Sequence, residues 1–316
     1  EIPRGPWSEK AIFDLKGIFG SPSREKPTGD MAMKKVALFF IIVIAGSLLH
    51  NPSAVLAQEK LPDYLQDRGT GVPSSMFGIF IPHRALITYL YFEYYLDHNM
   101  EYKPAELGYG VERDYRGKFK AAEGLLFIGY GLTDWLAIEF EAAVIKATLK
   151  KSPDDISSLP AELTESGLGD VESQLRFRWQ KENKKRPEIF SYFETVFPFQ
   201  KNRVLIGTQD WELKFGTGII KGFPFGTFII RYAIEYDGAA STVEPLGEYA
   251  IEYVKRISPH WRVYVGIEGA QDETELITEA QWHIVRDKVI VKLNNAFGIT
   301  SKATDWAPEI GILLYW

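Results

Sequence analysis

Apolar and polar residues alternate with a period of two along most of the chain from Leu86 onward. In the segment 227–237 the even-numbered residues are all apolar or aromatic, whereas the charged Arg231, Glu235 and Asp237 are odd-numbered. The last segment, 306–316, also keeps its large apolar side chains on one parity. Because successive side chains of a β-strand point to opposite faces, this period predicts an all-β chain.

The alternating segments number about twelve, and each runs for about ten to twelve residues, against the five or six typical of soluble strands. That is the length that a tilted strand needs to cross a bilayer. The segments begin near Leu86, Phe119, Trp135, Leu168, Ile189, Asp210, Thr227, Leu246, Trp261, Glu275, Lys288 and Asp305. They predict a transmembrane, antiparallel, up-and-down β-barrel formed by residues 86–316.

The direction of the apolar face distinguishes a membrane barrel from a soluble barrel or sandwich, in which apolar side chains point inward. Strand length, an export signal and tryptophans near strand ends favour the membrane barrel. Charged residues then belong inside, because a charge facing hydrocarbon costs about 2–4 kcal/mol at the midplane. The predicted lumen-lining residues are Glu139, Glu141, Glu172, Arg176, Arg178, Glu212, Lys214, Arg231, Glu235, Glu248, Glu252, Arg262, Glu268, Glu279, His283, Lys292 and Glu309, and Glu93, Glu123 and Glu194 stand on the same inferred face.

The connections between the predicted strands are of two kinds, short turns and long loops. Short connections fall at 131–134, 223–226, 258–260 and 286–287, the stretch 181–187 is somewhat longer, and the long loops span 97–118 and 150–166. In outer-membrane barrels short turns face the periplasm and long loops face outward. An even number of strands then returns both ends of the barrel domain to the periplasmic side.

An export signal is predicted before the barrel. Downstream of Met31 or Met33, two lysines precede an apolar run at 36–49, and small residues lead up to a cleavage point between Ala57 and Gln58. The run is about 14 residues, shorter than the roughly 20 that a membrane-spanning helix needs. A positive start, a short apolar centre and small residues before the cleavage point are typical of a signal peptide.

The predicted organisation has four parts. Residues 1–30 precede both candidate start methionines and are interpreted as upstream or added residues outside the fold. Residues 31–57 form the signal peptide, and 58–85 form a periplasmic strap or a plug within the lumen, because this stretch does not alternate and contains prolines and glycines. Residues 86–316 form the barrel.

Composition narrows the choice of partners. The chain contains no cysteine, so no disulfide, thiolate metal site or lipid-modified cysteine is expected. Its formal charge is −6, and residues 58–316 carry 29 Lys and Arg against 37 Asp and Glu, a net charge of −8. A nucleic-acid partner is therefore not expected, since binding to phosphate backbones requires clustered positive charge.

Candidate chemistry is sparse. The histidines His83, His98, His260 and His283 are widely spaced and lack the HxxxH or HE patterns of metal sites, so neither a metal nor a cofactor is expected. A barrel hydrolase would need a serine beside a histidine and an orienting polar group. No serine adjoins His283 in sequence, so catalytic residues are not assigned, although pairing across strands leaves this alternative open.

Three short motifs resemble a known family. The sequence GYGLTD at 129–134 forms a strand, turn and strand, GLGDV at 167–171 opens a strand after a long loop, and the final strand ends in an aromatic residue. These features resemble the family of outer-membrane proteins named for the MetA pathway of phenol degradation, over roughly residues 119–316. The resemblance implies passage of small, aromatic or hydrophobic compounds across the outer membrane of a Gram-negative cell, and no functional residue is carried over from it.

The end of the chain also resembles an assembly signal. Ile312, Leu314 and Trp316 stand on one parity, with the aromatic residue last, as in outer-membrane barrels that the barrel-assembly machinery recognises. We therefore expect outer-membrane lipid, that machinery and a small solute as partners. The predicted function is a passive channel with a slight preference for cations. A closed structural or binding barrel is the main alternative, and an outer-membrane hydrolase is a more distant one.

Overall fold

A computed structural model describes residues 61–69, 80–200, 202–238, 242–271 and 273–316. Within them, twelve antiparallel strands form one closed barrel, which confirms the predicted fold class and strand count. The strands are β1 (Leu86–Tyr102), β2 (Tyr115–Gly131), β3 (Leu136–Lys150), β4 (Glu162–Gln180), β5 (Glu188–Phe197), β6 (Glu212–Phe223), β7 (Gly226–Asp237), β8 (Thr242–Ser258), β9 (Trp261–Ala270), β10 (Glu273–Val285), β11 (Val289–Gly298) and β12 (Ala307–Tyr315). The predicted signal peptide, with Ala57 and Gln58, lies outside the described residues.

Each strand pairs with its neighbours in sequence, and β1 pairs with β12 to close the barrel. The closing register runs from Ile87 opposite Tyr315 to Glu93 opposite Glu309. Closure leaves no strand edge unpaired, so the backbone groups of the wall are hydrogen-bonded within the protein, as a β-structure in lipid requires. No helix among the described residues is long and apolar enough to span a membrane.

The strands extend beyond the predicted boundaries at one end of the barrel. β1 continues to Tyr102 and β2 begins at Tyr115, so the first loop is 103–114 instead of 97–118. The second long loop is 151–161 instead of 150–166, because β4 begins at Glu162. Backbone pairing continues here, with Lys118 opposite Lys150, after the outward residues have become polar. The apolar alternation therefore ends before the strands do.

The two ends of the barrel differ in their connections. The end that carries the β2–β3, β4–β5, β6–β7, β8–β9 and β10–β11 connections is called the short-turn end, and the opposite end is called the loop end. The loop end carries loops 103–114, 151–161, 198–211 and 299–306, but also the short connections 238–241 and 271–272. Length alone therefore does not assign every connection to an end.

Apolar side chains cover the outside of the wall. Phe92, Phe140, Phe215, Ile251 and Ile310 are 42–59% exposed, although each lies within a strand. Tryptophans mark the short-turn end, where Trp261 and Trp282 stack with ring centroids 6.3 Å apart and are both exposed. This inside-out distribution matches the apolar band and aromatic girdle of membrane barrels.

The residues of the predicted C-terminal signal differ in exposure. Ile312 is 37% and Trp316 is 41% exposed, whereas Leu314, on the same parity, is only 5% exposed. The backbone of Leu314 pairs with Thr88 of β1 and with Val289 of β11. Two of the three side chains, those of Ile312 and Trp316, are therefore exposed at the outer surface.

Glycines allow aromatic side chains to lie against the inner wall. A Cβ at Gly216 of β6 would overlap the ring of Tyr192 from β5, and one at Gly218 would overlap the ring of Phe190. Phe190 and Tyr192 are each 1% exposed. The missing side chains on one strand therefore make room for large rings on the next.

Candidate functional site

The candidate functional site is the interior of the barrel, because the alternation along each strand turns its polar side chains inward. All seventeen predicted lumen-lining residues lie on the inward parity, and none of them is exposed. Glu139, Arg176, Arg231, Glu235, Glu252, Arg262, Glu279, His283 and Lys292 are buried, and Glu141, Glu172, Arg178, Glu212, Lys214, Glu248, Glu268 and Glu309 are half-buried.

Arg231 of β7 is the centre of the largest ion-pair group. Its guanidinium lies 3.2 Å from Glu248 and 3.8 Å from Glu252, both on β8, and 3.0 Å from Glu268 on β9. The hydroxyl of Tyr192 donates a hydrogen bond of 2.6 Å to Glu248. One cation is thus shared by three carboxylates from two neighbouring strands, and its own side chain is 3% exposed. A buried charge is tolerated only when it is paired in this way.

Further ion pairs continue around the interior. Arg176 Nε lies 3.1 Å from Glu139, Lys214 Nζ lies 3.0 Å from Glu194, and Lys292 Nζ lies 2.7 Å from Glu279. We call these three pairs and the Arg231 group the ion-pair belt. Beside the belt, a space of about 10 Å³ is lined by residues that include Glu139, Glu141 and Glu172. That volume is about what one water molecule needs.

Two groups of carboxylates are neighbours across strands. Glu93 of β1 stands directly opposite Glu123 of β2 on one side and Glu309 of β12 on the other. We call these three residues the carboxylate row. Glu141 of β3 likewise stands opposite Glu172 of β4. Sequence parity placed all five carboxylates inside, but only the strand register shows that they are adjacent.

Tyrosines contact the carboxylate row. The hydroxyl of Tyr95 lies 2.8 Å from Glu93 and 3.3 Å from Glu123, and that of Tyr89 donates to Glu309. Tyr89 and Tyr91 stack with centroids 4.8 Å apart and belong to a buried apolar cluster that also contains Phe127. The carboxylates therefore lie beside an aromatic wall formed mainly by β1 and β2.

An N-terminal segment, 61–69, enters the short-turn end of the barrel. Arg68 Nη2 lies 3.0 Å from Glu182 and 3.1 Å from Glu188, and all three side chains are at most 4% exposed. Asp67 accepts a 2.9 Å hydrogen bond from the backbone N–H of Arg256. Sequence reasoning missed these four side chains as partners, because a segment without alternation gives no register with the strands.

Residues just before β1 also line this end. The guanidinium of Arg178 lies over the ring of Phe80 at 4.0 Å, within the range of a cation–π contact. Phe80 and Ile81 are each 1% exposed. A Cβ at Gly131 would overlap the backbone of Pro82, so the chain passes directly against the wall.

A buried polar group adjoins the β10–β11 turn. Asp287 lies 2.8 Å from Arg256, 3.3 Å from Arg262 and 3.3 Å from Nδ1 of His283. Burial raises the pKa of Asp287, but the contacts with His283 and the two guanidinium groups outweigh this and hold the pKa well below its usual range. The described hydrogen bonds of His283 involve no serine hydroxyl, and no three His, Asp or Glu side chains among the described residues are arranged to hold a metal.

The loop end is constricted by loop 198–211. Glu165 of β4 accepts hydrogen bonds from the backbone N–H groups of Val204 and Leu205, at 2.9 and 2.8 Å. Asp170, also on β4, accepts one of 2.7 Å from Thr208. Leu205 and Ile206 pack with inward residues of β2 and β3. Two carboxylates of the wall therefore hold this loop against the inside of the barrel mouth.

Among solved structures, the chain is similar to an outer membrane channel from Pseudomonas putida F1, with a TM-score of 0.54 and 13% sequence identity over 78% of this chain and 100% of that chain. The fold is that of an outer-membrane β-barrel. The translocator domain of the autotransporter NalP from Neisseria meningitidis gives a TM-score of 0.43 and 9% identity, covering 90% of this chain and 97% of that one. No protein-family model and no curated protein matches the sequence.

Proposed function

We propose that this barrel is a channel of the outer membrane that passes small compounds and prefers cations. The observation that carries the proposal is the carboxylate row, Glu123, Glu93 and Glu309, in the interior. Like charges directly opposite one another destabilise a sheet. Three adjacent carboxylates are therefore poorly explained by stability, whereas rings of acidic side chains are the usual means of attracting cations into a pore.

The aromatic wall beside the row supports a preference for compounds with an apolar body. Tyr89, Tyr91, Leu125 and Phe127 form one buried apolar surface next to the carboxylates. An amphiphilic cation would place its charge against the row and its apolar part against the rings, where cation–π attraction adds to apolar contact.

Export, assembly and family membership are parts of the same proposal. The signal peptide at 31–57, cleaved between Ala57 and Gln58, would deliver residues 58–316 to the periplasm. Ile312, Leu314 and Trp316 would present the chain to the barrel-assembly machinery, and the contacts of Arg68 inside the barrel favour a plug over a strap for residues 58–85. Membership of the MetA-pathway family is supported by the motifs at 129–134 and 167–171.

Reversal potentials of the purified barrel in planar bilayers test the proposal. We expect the cation-over-anion permeability ratio to fall towards one when Glu93, Glu123 and Glu309 are all changed to Gln. The matched control changes Glu106, Glu112 and Glu162 to Gln, which removes the same charge from exposed positions outside the lumen. An unchanged ratio in the lumen variant, or an equal fall in both, would refute the assignment of the row.

A closed structural barrel is the second candidate, and the ion-pair belt is the observation that favours it. Arg176, Arg231 and Lys292 are each 0–4% exposed and bridge neighbouring strands, which suits a filled interior. The same bilayer measurement separates the two candidates. A folded barrel that shows no current under any applied voltage would support the closed barrel and exclude the channel.

A further inference from the structure

Five basic residues lie together on the outer surface of β2 and β3 at the loop end. They are Arg116, Lys118, Lys120, Lys146 and Lys150, and all are exposed. Lys118 stands directly opposite Lys150, and Lys120 and Lys146 face Thr148 and Ala122 in the same register. We call these five residues the basic patch. It is a local excess of positive charge on a chain whose formal charge is −6.

The basic patch begins where the apolar band ends. On β3 the outward positions Ile138, Phe140 and Val144 are 38–53% exposed, and the next outward residue towards the loops is Lys146. On β2 the outward position changes from apolar to charged at Lys120. The apolar band of a membrane barrel is about 25 Å tall and ends at the lipid headgroups. The patch therefore lies at headgroup level in the leaflet on the loop side.

The protein neutralises only part of this charge. Arg116 pairs with Glu101 at 3.1 Å, and Lys150 pairs with Glu162 at 3.3 Å. For Lys118, Lys120 and Lys146 the described residues provide no ion pair. The directly opposed Lys118 and Lys150 repel each other across the strands, which an anion placed over both would relieve.

We propose that the basic patch binds the phosphorylated headgroup of a glycolipid in the outer leaflet. The proposal rests on insertion of the barrel in an outer membrane with its loop end outward, but it does not depend on conduction. Lysine ammonium groups bind phosphate as compact point charges. Acyl chains below the headgroup would lie against Phe140 and Val144, so the surface fits a lipid better than a soluble anion.

Native mass spectrometry of the detergent-purified barrel, titrated with bisphosphorylated lipid A, tests the proposal. A lysine near an anionic lipid surface contributes about 1 kcal/mol, or about fivefold in affinity. Changing Lys118, Lys120 and Lys146 together to Gln should therefore weaken binding about a hundredfold. The matched control changes Lys181, Lys184 and Lys185, exposed at the short-turn end, to Gln and should bind as the wild type does.

Dephosphorylated lipid A and inorganic phosphate complete the experiment. The proposal predicts that the dephosphorylated lipid binds weakly to every variant and that inorganic phosphate does not compete at millimolar concentration. Equal binding by the patch variant and the wild type, or by lipids with and without phosphate, would overturn the proposal.

Heat-modifiable migration confirms that each variant is folded. If the triple change fails to fold, the single change Lys120→Gln replaces it, with an expected loss of about fivefold. Cation selectivity should be the same in all these variants, so failure here is separate from failure of the channel proposal.

Discussion

Arg68 and Glu188 are 120 residues apart in sequence, yet their side chains meet inside the barrel, with Nη2 3.1 Å from Oε2. Arg68 also pairs with Glu182, and each of the three side chains is at most 4% exposed. The N-terminal segment 61–69 is therefore joined to the wall at the short-turn end by buried ion pairs. Breaking a buried pair is costly because it leaves an unpaired charge behind.

We expect Arg68→Ala to release this segment from the short-turn end. Two carboxylates would lose their shared cation, and water would enter to solvate them. Limited proteolysis should then cleave within residues 61–69 in the variant and spare the wild type, and the single-channel conductance should rise. Arg186→Ala, at an exposed position in the β4–β5 turn, is the control and should change neither. Equal protection of the segment in both proteins would contradict the prediction.

Two Glu→Gln changes in the lumen should shift stability in opposite directions. Glu279 is the 2.7 Å partner of Lys292, and both are 3% exposed, so Glu279→Gln should lower the free energy of unfolding by roughly 3 kcal/mol. Glu93 faces a carboxylate on each side. Glu93→Gln should therefore raise the free energy of unfolding by about 0.2–1 kcal/mol for each like-charge pair removed. Urea titration in lipid vesicles measures both values. Destabilisation by Glu93→Gln would contradict net repulsion within the carboxylate row.

Gly216→Ala should destabilise the barrel, because the new Cβ would overlap the ring of Tyr192. Overpacking of this kind costs about 1–3 kcal/mol. Gly124→Ala is the matched control, since nothing lies within 4 Å of a Cβ at that position on the outer face. The urea midpoint should fall for the first variant only. A similar midpoint for both would mean that the ring moves aside without cost.

Asp287 should make the stability of the short-turn end depend on pH in the acid range. Its pKa in the folded barrel is lowered by His283, Arg256 and Arg262 against the effect of burial. The stabilisation is therefore complete above the unfolded value, near 3.9, and is lost as the pH falls through the lower folded value. We expect Asp287→Asn to be less stable than the wild type at pH 7, with a difference that shrinks below about pH 4. A difference independent of pH would exclude an ionic role.

Strand number and the inward parity of the charged residues followed from the sequence, because both depend on one period and on the cost of placing charge in hydrocarbon. Arg231 and Glu252 are examples, since the inward orientation of each was predicted from the alternation of its own strand alone. Their contact depends on the stagger between β7 and β8, which includes a register shift between Ala233 and Glu235. A bulge of this kind leaves the alternation within each strand almost unchanged. The sequence pattern therefore does not specify which side chains on adjacent strands are in contact.

The loop boundaries and the N-terminal contacts could not be predicted from the sequence, for two different reasons. Tyr115 to Lys118 pair as a strand although their outward residues are charged, since at the loop end backbone hydrogen bonds no longer depend on an apolar face. Arg68 belongs to a segment with no period at all, so its position is set by two carboxylates distant in sequence. Long-range ion pairs are specified by the folded geometry and leave no local pattern.

The pairing of β1 with β12 sets an order of events for the chain. Tyr89 and Glu309, which meet across this seam, are 220 residues apart in sequence, and every other strand pair joins neighbours along the chain. Hairpins can form one after another as the chain arrives, but the first strand has no second partner until the last one has been delivered. The open edge of β1 must therefore be kept from pairing with another molecule until β12 has formed beside it.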